Sequence, residues 1–92
     1  MIQSFRCRHT RTLFEGGDPP RFRAFRDVAV RKLAQLDAAR TLEFPRAPPG
    51  NRLESLSGNR RGQYSIRVND QFRVCFTWSE SGPADVEIVD YH

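Results

Sequence analysis

Residues Gly62 to Trp78, GQYSIRVNDQFRVCFTW, decide the fold. Tyr64, Ile66 and Val68 alternate with polar residues, and Phe72, Val74, Phe76 and Trp78 do the same after Asn69-Asp70-Gln71. Period-two alternation of β-branched and aromatic residues predicts two strands, and Asn-Asp supplies turn chemistry between them. A three-residue connection sets Val68 against Phe72, Ile66 against Val74 and Tyr64 against Phe76, with every apolar side chain on one face. A slip of one residue would mix the faces, which a half-buried sheet does not tolerate. The same register puts Arg67 opposite Arg73 on the polar face. Like charges in that position repel, so they either splay into water or hold an anion.

Working outward, Asp85 to Asp90 predicts a last strand carrying Val86, Ile88 and Val89, after a turn over Ser79 to Ala84 that includes Gly82-Pro83. Upstream, Phe22, Phe25, Val28, Ala29, Leu33 and Leu36 form an apolar stripe at helical spacing, predicting a helix over 19–39 with Asp18 as N-cap and proline in its first turn. Arg21, Arg23, Arg26, Arg31 and Lys32 fill much of the rest of that helix. They read either as a solvated basic face or as a surface for an acidic partner or RNA. Met1 to Arg8 predicts a first strand, Thr10 to Glu15 a short helical turn, Thr41 to Phe44 another, and Asn51 to Leu56 a short extended segment. Ser57 to Gly62 reads as a basic loop. The expected architecture is α+β over a single domain, residues 1–92. A small antiparallel β-sheet follows N-terminal helices, which pack on its even-numbered face.

Composition narrows the function. The chain has 92 residues, a net charge of +4, and fifteen basic residues of which all but Lys32 are arginine. Arginine presents a planar fork of donors suited to phosphate and to stacking on bases, which points to nucleic acid or the ribosome. A GC-rich genome would also favour arginine codons, but would not dictate where the arginines sit. Cys7 and Cys75 match no metal or redox spacing, and reduced cytoplasmic thiols are expected, with Cys75 buried as a small hydrophobe. The first residues lack the apolar core of a secretory leader, and no run approaches membrane-spanning length.

No phosphate-cradling glycine loop, metal cluster or hydrolase triad is legible. What converges is one polar face: Arg67 and Arg73, Glu87 and Tyr91 from a matched final strand, Asp90 and His92 at its edge, and Arg60 and Arg61 from the preceding loop. RNA cleavage needs this inventory: a base for the 2′-OH, cations for the phosphate charge and an acid for the leaving 5′-oxygen. The last three residues could instead be a loosely ordered end.

At GQYSIRVNDQFRVCF, the closing DVEIVDYH, MIQSFRCRHTRTLFEG and PPGNRLESLSG, the chain resembles the HigB branch of the RelE-like toxins of bacterial type II toxin–antitoxin systems. The resemblance covers essentially the whole chain. It implies a RelE-like microbial RNase fold and a ribosome-dependent mRNA endonuclease acting in the A site of the small (30S) ribosomal subunit. It also implies neutralisation by a helix-turn-helix, HigA-like antitoxin, and use of no metal or cofactor. It assigns Asp90 and His92 to proton transfer, Tyr91 to positioning and Arg73 to the scissile phosphate, with Arg67 a weaker match. Ser57 stands where a lysine is common, and Glu54 where some members have histidine, so activity could be slow, lean on Arg60 or Arg61, or be lost. Two other readings share the scaffold. One is a toxin that blocks the ribosome or DNA gyrase without cutting, and the other is a plain RNA-binding domain.

Overall fold

The central hairpin forms in the expected register. In the computed structural model, which describes residues 1–42 and 49–90, strand β2 (Gln63–Arg67) runs antiparallel to β3 (Phe72–Ser79). Tyr64 pairs with Phe76, Ile66 with Val74 and Arg67 with Arg73. The turn owes its shape to Asn69, whose side-chain oxygen accepts hydrogen bonds from the backbone N–H groups of Gln71 (2.9 Å) and Phe72 (2.7 Å). Such an Asx turn is why asparagine suits this position.

Two further strands complete a four-stranded antiparallel sheet in the order β1-β2-β3-β4, with β1 at Glu54–Ser55 and β4 at Gly82–Asp90. β4 is longer than its alternation suggests. Gly82 and Pro83 belong to the strand and pair with Ser79 and Trp78, so the reversal lies at Glu80 and Ser81. A bulge explains why the pattern was hard to read. Cys75 pairs with Glu87 but Thr77 with Ala84, giving β4 one extra residue, and Asp85 takes it up at φ +52°. The extra residue restores parity, so Pro83, Val86 and Ile88 all reach the buried side.

The even-numbered face carries the core. Ile66, Val68, Val74, Phe76, Val86 and Ile88 pack against Leu13, Phe22, Ala29, Leu33 and Leu36 from the helical half. Helix α1 is Arg8–Phe14, and its buried Thr10 accepts a hydrogen bond from the Ile88 N–H through Oγ1 (3.0 Å). The long predicted helix is divided. Pro20–Phe25 is a 3-10 turn and α2 proper is Arg26–Ala38. A 3-10 turn eclipses residues three apart. Phe22 and Phe25 therefore align, 5.9 Å apart between ring centres, and Phe25 reaches Phe72 at 4.5 Å. Asp18 does not cap the helix. Its carboxylate instead accepts from Arg23 Nε (3.1 Å) and lies 3.7 Å from Arg26 Nε, drawing part of the basic face into local pairing.

The N-terminal segment lies alongside β4 in parallel, joined by Gln3 N–H to the Pro83 carbonyl (2.8 Å) and Arg6 N–H to the Val86 carbonyl (3.0 Å). Only Phe5 makes a true bridge, with Val86, so the predicted first strand is an extended edge rather than a full strand. The Asn51–Leu56 segment begins in a 3-10 turn at Pro49–Asn51 before β1, and another such turn, Gly58–Arg60, lies in the basic loop. The helical turn expected at 41–44 and the proline stretch after it fall partly or wholly outside the described residues. No helix among the described residues is long and apolar enough to cross a membrane.

Gly82 is where the N-terminal edge is tested. It sits at φ +131°, and a Cβ there would collide with the Met1 carbonyl. Gly82→Ala should therefore combine backbone strain of about 1–3 kcal/mol with loss of the edge contact. A lowered melting temperature with faster amide exchange at Gln3 and Arg6 is the expected outcome; an unchanged melt would show that the edge contributes little.

Candidate nucleic-acid interface

The sheet's polar face, odd-numbered in β2, β3 and the end of β4 but even-numbered in β1, carries the row Glu54, Ser65, Cys75 and Glu87, one residue from each strand. Beside it lies the row Arg67, Arg73 and Val89. The repulsion expected between Arg67 and Arg73 is resolved inside the protein. Arg67 turns to the carboxylate of Asp70 in the turn. Arg73 is only 8% exposed and donates through Nε to Ser65 Oγ (2.7 Å) and through Nη2 to the Arg52 carbonyl (2.6 Å) and the Ser65 carbonyl (3.3 Å). Three of its five N–H donors are thus committed, which fixes the plane of the guanidinium. Nη1 lies 3.9 Å from Glu54 Oε1, a long ion pair beyond hydrogen-bond reach.

Arg60 is held next to this. Its Nη1 donates to Gln63 Oε1 (3.1 Å) and to Glu87 Oε1 (3.0 Å), while Arg6 Nε stands 4.0 Å from the same carboxylate oxygen. Cys75 is fully buried and its thiol is unpaired. Burial pushes that thiol's pKa up and Glu87 adds to the shift, while Arg60 and Arg73 oppose it. The cysteine is therefore a small buried group, as expected, but it sits on the polar face rather than among the core aliphatics. Arg61 follows the 3-10 turn and is exposed.

Asp90, expected at the edge of the polar face, lies on the sheet's other side. It pairs with Phe72, an even-face residue, and its Oδ2 accepts from Gln71 Nε2 (2.9 Å). Its side chain therefore leaves the strand on the helix-bearing side, while Arg73, paired with Val89, lies on the other. The two are one residue apart along the ladder but not on a common face. Tyr91 and His92 lie outside the described residues.

The periodicity hid a second polar cluster. Lys32, expected on the solvated face of α2, is 8% exposed, and Asn51 is fully buried. Lys32 Nζ donates to Asn51 Oδ1, and Asn51 Nδ2 donates to Gln35 Oε1 (3.0 Å). The cluster pins the turn before β1 to α2. Its one legible trace is Lys32 itself, the single lysine among arginines. A flexible ammonium fits where a planar fork would not.

Burial holds the Lys32 pKa below the usual lysine range, with Arg31 and Arg67 adding to the shift. A lysine depressed in the folded state costs stability while it is protonated. That cost is relieved as pH rises from the lowered folded value towards the unfolded one, because the unfolded chain binds more protons in that window. Wild-type stability relative to Lys32→Met should therefore rise through the alkaline range. Parallel urea midpoints for the two proteins at each pH would sink this account.

Comparisons with known proteins bear on the family and the fold. The model of the family described as "RelE-like toxin of type II toxin-antitoxin system HigB" matches residues 3–92. Toxin HigB-1 of Vibrio cholerae is 56% identical over 52 residues, covering 56% of this chain and 55% of that protein. An uncharacterized protein of Haemophilus influenzae is 37% identical over 54 residues, covering 59% of this chain and 54% of its own. The chain thus aligns with little more than half the length of these curated relatives. Among solved structures, the YoeB-YefM complex from Staphylococcus aureus contains a chain that superposes with a TM-score of 0.60 at 18% identity, covering 100% of this chain and 98% of that one, a likeness of fold. With the family model spanning nearly every residue, the chain belongs to the HigB family of RelE-like toxins of type II toxin–antitoxin systems.

Proposed function

We propose that this toxin is a ribosome-dependent endoribonuclease that cuts mRNA in the A site and stops translation, using its own side chains rather than a metal or cofactor. The observation that carries the reading is the β3–β4 ladder: it sets the end of β4 beside the row that holds Arg73 with a guanidinium already fixed in plane. Fixed donors aimed at a developing charge stabilise it without reorganisation, often the largest single contribution to catalysis. Arg73 Nη1 meets the scissile phosphate, and Arg60, Arg61 and Arg67 hold neighbouring phosphates. His92 carries the protons, taking the 2′-OH proton as that oxygen attacks phosphorus and delivering it to the departing 5′-oxygen. Asp90, which leaves β4 on the face away from Arg73, orients the end of the chain that carries His92 and does not act at the phosphate itself. Tyr91 positions the base or phosphate.

The pairing of the arginines supports dependence on the ribosome. Arg60, Arg67 and Arg73 each face a carboxylate from Glu87, Asp70 or Glu54. Free RNA must displace those partners unaided, whereas the ribosome delivers mRNA already oriented. The reading also takes in a HigA-like helix-turn-helix antitoxin that silences the toxin in the cytoplasm. A RelE-like fold occurring within the YoeB-YefM complex is consistent with such a protein partner.

The test is to induce the protein in cells and map mRNA 5′ ends, with Asp90→Asn and deletion of His92 as controls. New ends at codon boundaries, lost in both variants, are expected. Translation arrest without new ends would remove the nuclease and leave a blocker. Unchanged growth would remove both.

A further inference from the structure

Arg52 combines three features found together nowhere else among the described residues. Its backbone is left-handed at φ +46°, a region that a long L side chain rarely adopts. Its carbonyl is held by Arg73 Nη2 at 2.6 Å, so the residue lies against the guanidinium already assigned to the phosphate. Its own side chain is exposed and makes no ion pair or hydrogen bond with the described residues, unlike those of Arg60, Arg67 and Arg73. The preceding residue is the fully buried Asn51, anchored to Lys32. The unfavourable conformation is therefore imposed from both sides, by Asn51 on α2 and by Arg73 on the sheet. Strain that the surroundings over-determine, at a residue next to the reacting group, is characteristic of functional positions.

We propose that Arg52 is a further RNA-binding residue, presented by this kink to a phosphodiester adjoining the one held at Arg73. The assignment deepens the nuclease reading and rests on the same face. The strained backbone serves to place the cation, and glycine or asparagine would suit the conformation better but bring no charge.

The experiment pairs stability with binding. Arg52→Asn, Arg52→Gly and Arg52→Lys are compared with wild type by thermal melting and by titration of a short single-stranded RNA across a salt series. Arg61→Gln and Arg67→Gln serve as controls on the face. Arg52→Asn should melt at or above wild type and Arg52→Gly close to it. Both should bind RNA roughly tenfold more weakly, the scale of one charge-assisted contact. The salt slope should fall by about one, and Arg52→Lys should restore part of the binding. If the Arg52 variants bind like wild type while the controls lose affinity, the role of Arg52 is overturned and the basic face stands. If no variant changes binding, both fall. Weaker binding with a clearly lower melting temperature and no recovery in Arg52→Lys makes Arg52 a structural residue and overturns the assignment.

Discussion

Arg73→Ala is expected to end mRNA cleavage and to weaken the fold. The catalytic part follows from losing a fixed donor at the phosphate, worth about 100- to 1,000-fold in rate at comparable sites. The structural part follows from what alanine leaves behind. Ser65 Oγ, the Ser65 carbonyl and the Arg52 carbonyl lose their shared donor on a face where Ser65 is fully buried. Each buried acceptor left without a partner costs about 1–3 kcal/mol unless water replaces the donor. Small domains hold only about 5–15 kcal/mol in all, so the loss should show as a lower urea midpoint. Arg73→Lys separates the two parts. It keeps a positive charge, but one ammonium cannot satisfy Ser65 and Arg52 while facing a phosphate. It should regain stability relative to alanine without regaining cleavage. Wild-type cleavage by Arg73→Lys, measured by primer extension on translated mRNA, would show that charge alone suffices and that the planar geometry is unimportant.

The second large effect is expected at Asn51. Removing its side chain in Asn51→Ala leaves Lys32 buried and charged without its acceptor, and leaves Gln35 without its donor. Leaving a buried ammonium without its neutral amide acceptor costs about 3 kcal/mol, a large share of the stability of a domain this size. Lys32→Met should cost less, because it removes the charge and leaves only a neutral amide to satisfy. Combining Lys32→Met with Asn51→Ala should therefore be milder than the sum of the two. If Asn51→Ala proves no worse than Lys32→Met by urea denaturation, the ammonium has a route to water and the account fails. Asn51 also carries the anchor for Arg52, so RNA binding should weaken in this variant even at temperatures where it remains folded.

The fold is legible in the residues where local pattern and tertiary demand coincide. The hairpin register was legible because alternation on two adjacent strands admits one pairing that keeps Val68, Ile66 and Tyr64 with Phe72, Val74 and Phe76. Pairing between distant segments was harder. The bulge at Asp85 broke the two-residue period of β4, so Gly82 and Pro83 read as turn. The stripe from Phe22 to Leu36 read as one helix because a 3-10 turn followed by an α-helix keeps nearly the same apolar face. The N-terminal edge is held by backbone bonds with β4 and by bonds involving the Asp37, Gln3 and Ser4 side chains, none of which a local alternation pattern reveals.

The candidate site divides in the same way. That Arg67 faces Arg73 followed from the sequence, because strand register is set by periodicity over a few neighbouring residues. What Arg73 and Arg60 do with their charge did not, because Ser65, the Arg52–Glu54 segment and Glu87 come from separate strands that meet only when the sheet closes, whereas Asp70 is a local partner of Arg67 three residues away. The burial of Lys32 and the kink at Arg52 were likewise decided by packing. The sequence alone determined the family, the α+β class and the facing arginines, through short-range alternation and long motifs. The tertiary structure alone decided which cations are already partnered, because a buried charge takes its partner from whatever segment the fold brings within hydrogen-bond distance.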